Sequence, residues 1–463
     1  MNQQELDALR TEGDLNLSPA RQAWAAAHIN EETSQILQED SEYFLHQSLS
    51  SPCLNVLAGC EGSYLEDNQG RRILDFHGNN VHQVGFANPD VIKAITDQLQ
   101  TLSFCTRRYT NRPAVDLAKK LIDLAPGGDK RVLFAPSGTA AIGMALKLAR
   151  AATGRHKTIS MWDSFHGASL DAISIGGEAI FRKNAGPLLS GCEHVPPPDP
   201  SQCPFACETT CNLQCANYIE YVLEKEGDVA AVVAETVRST PFIPPPDYWK
   251  KVRAACDRHG ALLILDEIPH CLGRTGKMFT CEHYDVTPDI LVIGKGLGGG
   301  VFPLAAIVAE ANLNVASDRA LGHYTHEKSP VACAAALATI KHLEKNEILE
   351  HVAEMGAYVA SRISAFQQKH PIVTQFRGLG LLMGVEVSAQ SNQKRSNNAL
   401  AEHVMYECLS RGLNFKLTLG NNLTLTPPLT ITQAEMDQAL EILERTLIEA
   451  EASPLYSDAA ASD

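Results

Sequence analysis

The sequence is poor in positive charge. Lysine and arginine number 39 against 54 aspartates and glutamates, a formal net charge of −15. That balance disfavours nucleic acid and anionic membrane surfaces as partners. No apolar stretch reaches membrane-spanning length. The opening residues, Met1-Asn-Gln-Gln-Glu-Leu-Asp7, are acidic and carry no signal-peptide core. A P-loop is missing too, since Gly276-Lys277 is followed by Met278 without the required spacing. The 13 cysteines, with no secretion signal ahead of them, predict a reducing, cytoplasmic setting rather than a disulfide framework.

What is present points to an enzyme. At 463 residues, 44% of them hydrophobic, the chain is long enough for two lobes, each with a core. One lysine stands out, in Asp289-Ile-Leu-Val-Ile-Gly-Lys-Gly-Leu-Gly-Gly-Gly300. Ile290–Ile293 has no polar face and reads as a buried strand. It delivers Lys295 to a partly desolvated mouth, where an amine becomes a usable nucleophile. A second apolar run, from Ala261 to Leu265, ends at Asp266. A lysine for a Schiff base and an aspartate for a pyridinium nitrogen are the pair that pyridoxal phosphate chemistry requires.

The middle of the chain alternates strands and helices, which predicts a mostly parallel sheet covered on both faces. The expected strands are 131–135, 158–162, 229–234, 261–265, 290–293 and 304–308. Five lead directly to a polar or special residue: Ser137, Phe165-His166, Glu235, Asp266 and Lys295. Open α/β sheets bind ligands at the carboxyl ends of their strands, so the chemistry is expected on one edge. Ser137-Gly-Thr139, between a strand and the helix expected over 140–152, is either an anion cradle or an ordinary helix cap. Before this region, residues 1–55 read as a helical arm suited to wrapping a partner subunit, and 56–103 as the first part of a small domain. A large cofactor-binding domain is expected over 104–335 and a C-terminal α+β part over 336–456. Residues 457–463 read as a disordered tail.

The motifs together resemble the class III pyridoxal-phosphate-dependent aminotransferases. They are Glu61-Gly-Ser-Tyr-Leu-Glu-Asp67, Ser137-Gly-Thr139, Phe165-His-Gly167, Asp266-Glu-Ile268, Gly273-Arg-Thr-Gly-Lys-Met-Phe279, Gly294-Lys-Gly-Leu-Gly-Gly-Gly300, Pro330-Val-Ala-Cys-Ala334 and Arg377-Gly-Leu-Gly380. The resemblance implies the α/β fold type I architecture, pyridoxal 5'-phosphate as cofactor, and a homodimer with shared active sites. It matches Lys295 to the cofactor-linking lysine and Asp266 to the partner of the pyridine nitrogen. It puts Phe165 on the ring, Ser137, Gly138 and Thr139 around the phosphate, and Glu235 in the cofactor site. Thr325 resembles the threonine that reaches the phosphate from the other subunit.

Departures from the family pattern narrow the reaction. Many members carry an arginine before Pro-Pro-Leu that forks onto a substrate carboxylate. Here Thr424 takes its place, in Leu423-Thr-Leu-Thr-Pro-Pro428. The usual glutamine after the aspartate–glutamate pair is Pro269. In the opposite sense, Thr106-Arg-Arg-Tyr-Thr-Asn-Arg112 is a basic cluster in an acidic protein. It resembles a segment of the family's elimination lyases, and Arg107, Arg108 and Tyr109 would suit a phosphate or phosphonate. A small anionic amine is therefore the expected substrate, and elimination as an ammonia-lyase the expected reaction. The alternative is an ω-aminotransferase that passes the amine to a keto acid. Cys203, Cys207, Cys211 and Cys215 recur every fourth residue, but not with the usual zinc spacing, and no metal site is assigned. His77, His82, His270 and His326 are candidates to approach a substrate.

Overall fold

The computed structural model describes residues 18–47, 49–199, 203–205, 207 and 211–457. The disordered tail expected from 457 thus lies almost wholly outside the described residues, as do the first 17 residues of the arm. The chain divides into two units. Residues before Pro89 together with those from His351 onward form one; Pro89–Glu350 forms the other. The expected borders, at 103 and 336, are moved. The helix Pro89–Thr101 packs on the helix Pro330–Lys345, and both stay with the larger unit.

The unit made from both chain ends holds two four-stranded sheets. The first contains β1 (Leu57–Glu61), β2 (Tyr64–Asp67) and β3 (Arg72–Asp75), an antiparallel meander. Asp67 fixes its turn by accepting the N–H groups of Gln69 and Arg71 at 3.0 and 2.9 Å. The first arm helix, Pro19–His28, is not a free arm. Its Trp24 is 4% exposed, with its ring 6.2 Å from that of Tyr406 in the helix Lys394–Ser410 of the same chain. A tryptophan supplies enough apolar area to anchor so short a helix. The next helix, Glu31–Tyr43, and the residues after it remain open, with Tyr43, Phe44 and Leu45 exposed.

The larger unit is built on a seven-stranded sheet. Its strands are β4 (Lys130–Ala135), β5 (Lys157–Met161), β6 (Cys192–Val195), β7 (Val229–Glu235), β8 (Leu262–Asp266), β9 (Ile290–Ile293) and β10 (Ala305–Glu310). They lie in the order β4-β10-β9-β8-β7-β5-β6. Only β10 runs antiparallel to its neighbours. Strands β7 and β9 are buried along their whole length, as a sheet covered on both faces demands. The helix Gly138–Thr153 buries alanines, Ile142, Met144, Leu146 and Leu148 against this sheet. β6 was not expected from the sequence, because Cys192-Glu-His-Val195 has neither a clear apolar run nor strict alternation. In the first unit, β11 (Val373–Leu379), β12 (Leu382–Val387), β14 (Lys416–Thr418) and β15 (Asn422–Leu425) complete the second sheet. The two-residue β13 (Leu413–Asn414) joins β3 in parallel.

Candidate active site

The carboxyl ends of the parallel strands collect the expected residues. In register, Glu235 at the end of β7 lies beside Asp266 at the end of β8, and Asp266 lies beside Val292 of β9. Lys295 follows β9 by two residues, half-buried, in a short 3₁₀ turn, Lys295–Gly298, that packs on the helix Pro330–Lys345. Its φ of 48° lies in the left-handed region, where a non-glycine residue is held only by its surroundings. The preceding Gly294 is tightly confined: a Cβ there would come within 3.3 Å of both Ala305 and Ile268.

Asp266 is 1% exposed and has two polar contacts. One carboxylate oxygen faces Nδ1 of His166 at 2.8 Å, and the other accepts the N–H of Ile268 at 3.1 Å. An ionised carboxylate only accepts, so Nδ1 of His166 carries the proton. On the far side of the ring, Nε2 of His166 lies 3.4 Å from Ser160 Oγ. The sequence marked His166 with Phe165 as a residue at a strand end, but assigned a role only to Phe165. The signal was there: a histidine directly beyond a strand that ends on the same edge as Asp266.

Phe165 is half-buried, its ring 4.5 Å from that of Phe181, and its N–H donates to Glu235 at 3.3 Å. Burial pushes the Glu235 carboxyl up, while Arg238, 3.8 Å away, opposes that shift. The same guanidinium contacts Glu178 at 3.0 Å. One arginine thus joins two carboxylates and ties the end of β7 to the segment around Glu178.

Ser137 caps the helix Gly138–Thr153, its hydroxyl accepting the N–H of Ala140 at 3.3 Å. The Thr139 and Ser169 hydroxyls are 2.5 Å apart. Gly138 permits a close approach, since a Cβ there would sit 2.8 Å from Ile268 Cδ1. A long helix beginning at a glycine beside two hydroxyls suits a phosphate group. A buried carboxylate backed by an imidazole suits a pyridine nitrogen, and Lys295 suits an aldehyde. The residues present therefore fit pyridoxal phosphate.

A second group lies in the same unit. Arg107, Arg108, Tyr109 and Thr325 line one open pocket of about 550 Å³, with Phe104 and Thr106. The Arg107 guanidinium lies against the ring of His323, with two nitrogen pairs at 2.5 Å. His326 meets Phe104 edge to face at 5.3 Å. His323 had no distinguishing signal in the sequence; only folding brings it to Arg107.

Other candidates have local roles. Thr424 is fully buried in β15, its hydroxyl 2.7 Å from that of Thr418. Its polarity is used inside its own sheet. His82 is buried and contacts the Asp75 backbone carbonyl at 3.3 Å. Cys215 is buried, while Cys211 is exposed. Among the described residues no group of three or more histidines, cysteines and carboxylates is placed to hold a metal.

Both the sheet order and this edge of lysine, aspartate and helix N-terminus define a pyridoxal-phosphate enzyme of fold type I. The model of the class III aminotransferases matches residues 47–447, and the chain belongs to that family. Its cofactor is accordingly pyridoxal 5'-phosphate. Among relatives, it is 46% identical over 454 residues, 95% of either chain, to the (R)-1-hydroxy-2-aminoethylphosphonate ammonia-lyase of Vibrio splendidus. It is 35% identical to the acetylornithine aminotransferase of Caldanaerobacter subterraneus, over 85% of this chain and 95% of the other. Among solved structures, the taurine:2-oxoglutarate aminotransferase of Bifidobacterium kashiwanohense, in complex with PLP and glutamate, superposes with a TM-score of 0.84. That match covers 91% of this chain and 98% of the other at 26% identity. Among the described residues, no helix is long and apolar enough to cross a membrane.

Proposed function

We propose that this enzyme is an ammonia-lyase acting on a small amino-phosphonate, (R)-1-hydroxy-2-aminoethylphosphonate being the leading candidate, to give phosphonoacetaldehyde and ammonia. The observation that carries the reading is 46% identity, across nearly the whole of both chains, to the Vibrio splendidus protein of that name. Thr424 in place of a carboxylate-binding arginine and the grouping of Arg107, Arg108 and Tyr109 support it.

Bound pyridoxal phosphate supplies an electron sink for the carbon next to the substrate nitrogen. Lys295 holds the cofactor between turnovers. With the substrate amine in its place, the Lys295 amine would be free to take the proton from that carbon as general base. Asp266, oriented by His166, keeps a proton on the pyridine nitrogen. Ser137, Gly138 and Thr139 hold the phosphate, with Thr325 added by a second copy of the chain. Phe165 covers the ring, and Glu235, neutralised in part by Arg238, lines the same site. Arg107, Arg108 and Tyr109 receive the phosphonate. The carbon–oxygen bond at the carbon bearing phosphorus breaks, hydroxide leaves, and water restores an oxygen as ammonia departs. Substrate and products therefore balance with no external oxidant or keto acid. A homodimer in the cytoplasm is the assembly and location that accompany this reading.

The test is to incubate the holoenzyme with (R)-1-hydroxy-2-aminoethylphosphonate and no keto acid. Equal release of ammonia and aldehyde is expected. Amine loss that requires 2-oxoglutarate or pyruvate would instead identify an ω-aminotransferase, a reading favoured by the family at large.

A further inference from the structure

The Thr139 hydroxyl is committed within the protein. Three half-buried polar side chains form a line from the start of the helix Gly138–Thr153 to Asp171. Thr139 Oγ1 is 2.5 Å from Ser169 Oγ, and Ser169 Oγ is 2.5 Å from one Asp171 oxygen. That oxygen also accepts the N–H of Ala172 at 3.0 Å, and Thr139 Oγ1 accepts the N–H of Ser169 at 3.2 Å. Glycines seat both ends of the line. A Cβ at Gly167 would come within 2.5 Å of Thr139 Oγ1 and 2.6 Å of its Cβ. One at Gly143 would overlap the second Asp171 oxygen. Thr139 and Gly143 lie one helical turn apart on the same face of their helix, and Ser169 and Asp171 pack along that face.

The hydrogens along this line have one workable order. An ionised carboxylate only accepts, so Ser169 gives its single hydroxyl hydrogen to Asp171. Two hydroxyl oxygens 2.5 Å apart need a hydrogen between them, and Thr139 holds the one that is left. The Thr139 hydroxyl therefore points at Ser169 and shows only lone pairs elsewhere. A phosphate, itself an acceptor, gains nothing from it. Other donors remain at this helix start. Ser137 accepts the Ala140 N–H at 3.3 Å and still has its own hydroxyl hydrogen to give. The N–H groups of Gly138 and Thr139 belong to the first turn, which an α-helix leaves without internal partners.

We propose that Asp171, acting through Ser169, is a positioning residue that turns the Thr139 hydroxyl away from the cofactor phosphate. At this helix start the phosphate is then bound by the Ser137 hydroxyl and by main-chain N–H groups, less tightly than Ser-Gly-Thr allows. The proposal rests on the placing of the phosphate at Ser137, Gly138 and Thr139 in the proposed function. It predicts an unusual sign: cutting the line should tighten the hold on the phosphate, whereas plain structural damage would loosen it.

The test needs no turnover. The full-length protein is titrated with pyridoxal 5'-phosphate and, separately, with pyridoxal, and occupancy is read from cofactor absorbance. The ratio of the two affinities isolates what the phosphate contributes. Ser169→Ala and Asp171→Ala should each raise that ratio by about 10- to 150-fold, the scale of one hydrogen bond to a charged acceptor, because Thr139 is then free to donate. Asp171→Asn keeps an acceptor for Ser169 and should stay within about threefold of the parent. Adding Thr139→Val to Ser169→Ala should cancel the gain. A ratio that does not rise in Ser169→Ala overturns the proposal, even if Asp171→Ala fails to fold. So does a gain that persists without the Thr139 hydroxyl. A loss of about tenfold or more in Thr139→Val alone would also overturn it, while leaving the phosphate assignment standing. A parent protein that binds pyridoxal as tightly as its phosphate ester would instead defeat that assignment.

Discussion

Replacing Asp266 by asparagine removes one oxygen charge and little volume, and its effect can be worked from the structure. In the parent, one carboxylate oxygen faces the His166 Nδ1–H at 2.8 Å and the other accepts the Ile268 N–H at 3.1 Å. Asparagine can keep one acceptor. The Ile268 contact closes the turn, so the amide oxygen is expected to stay there and the NH2 to face His166. Two donors would then oppose each other unless the imidazole changed tautomer. The fold should survive, because the amide matches the carboxylate in shape. The pyridine nitrogen, however, would lose its anionic partner. A hydrogen bond to a charged group contributes about 1.5–3 kcal/mol, which corresponds to a loss of about 10- to 150-fold in kcat at 1.36 kcal/mol per tenfold. Withdrawal of the electron sink adds to that figure, so it is a lower bound. The assay is ammonia release under saturating substrate, with far-UV circular dichroism and cofactor absorbance to show that the variant is folded and loaded. A loaded, folded variant that loses less than about tenfold would refute the electron-sink role of Asp266.

Lys295→Ala should abolish turnover and leave no cofactor fixed to the chain by borohydride; substantial remaining activity would remove the central claim. Arg108→Ala should lower kcat/KM for an amino-phosphonate by about 10- to 150-fold and spare an uncharged amino alcohol. Equal losses on both substrates, or none, would end the anion-recognition argument, with Arg107→Ala as the paired control. Thr424→Arg should improve 2-oxoglutarate as acceptor. The site is fully buried and its hydroxyl pairs with Thr418, so a stability loss of about 1–3 kcal/mol should accompany the change. An unchanged acceptor profile in a folded variant would exonerate this position. Acid stability supplies a last check. His270 is held down to about 3 by burial, against 6.5 in an unfolded chain, so the unfolded chain binds that proton first as pH falls. Its contribution is complete above about pH 6.5 and is lost progressively down to about pH 3. His270→Leu should flatten that limb in chemical denaturation across the range; an unaltered slope would mean that the ring is solvated.

The site was legible where a short motif carries both its element and its chemistry. Ile290–Ile293 contains no polar residue, so a buried strand followed by a lysine could be read from local order alone. The same holds for the run ending at Asp266 and for Ser137-Gly-Thr139 at a helix start. By contrast, the weak pattern of β6 hid a strand that exists only because β5 offers it an edge. Trp24 showed no sign of its partner, because Tyr406 lies hundreds of residues away.

By itself the sequence determined the cofactor and supplied the proposed lysine and aspartate for it, since those depend on residue type and on neighbours a few positions away. Tertiary structure alone decided which side chains stand behind them. His166 reaches Asp266 across a separation of 100 residues, His323 reaches Arg107 across 216, and the buried face of Thr424 is set by Thr418 on the paired strand. Such contacts follow from strand order and register, which bring distant segments within hydrogen-bond reach and leave no local trace in composition or spacing.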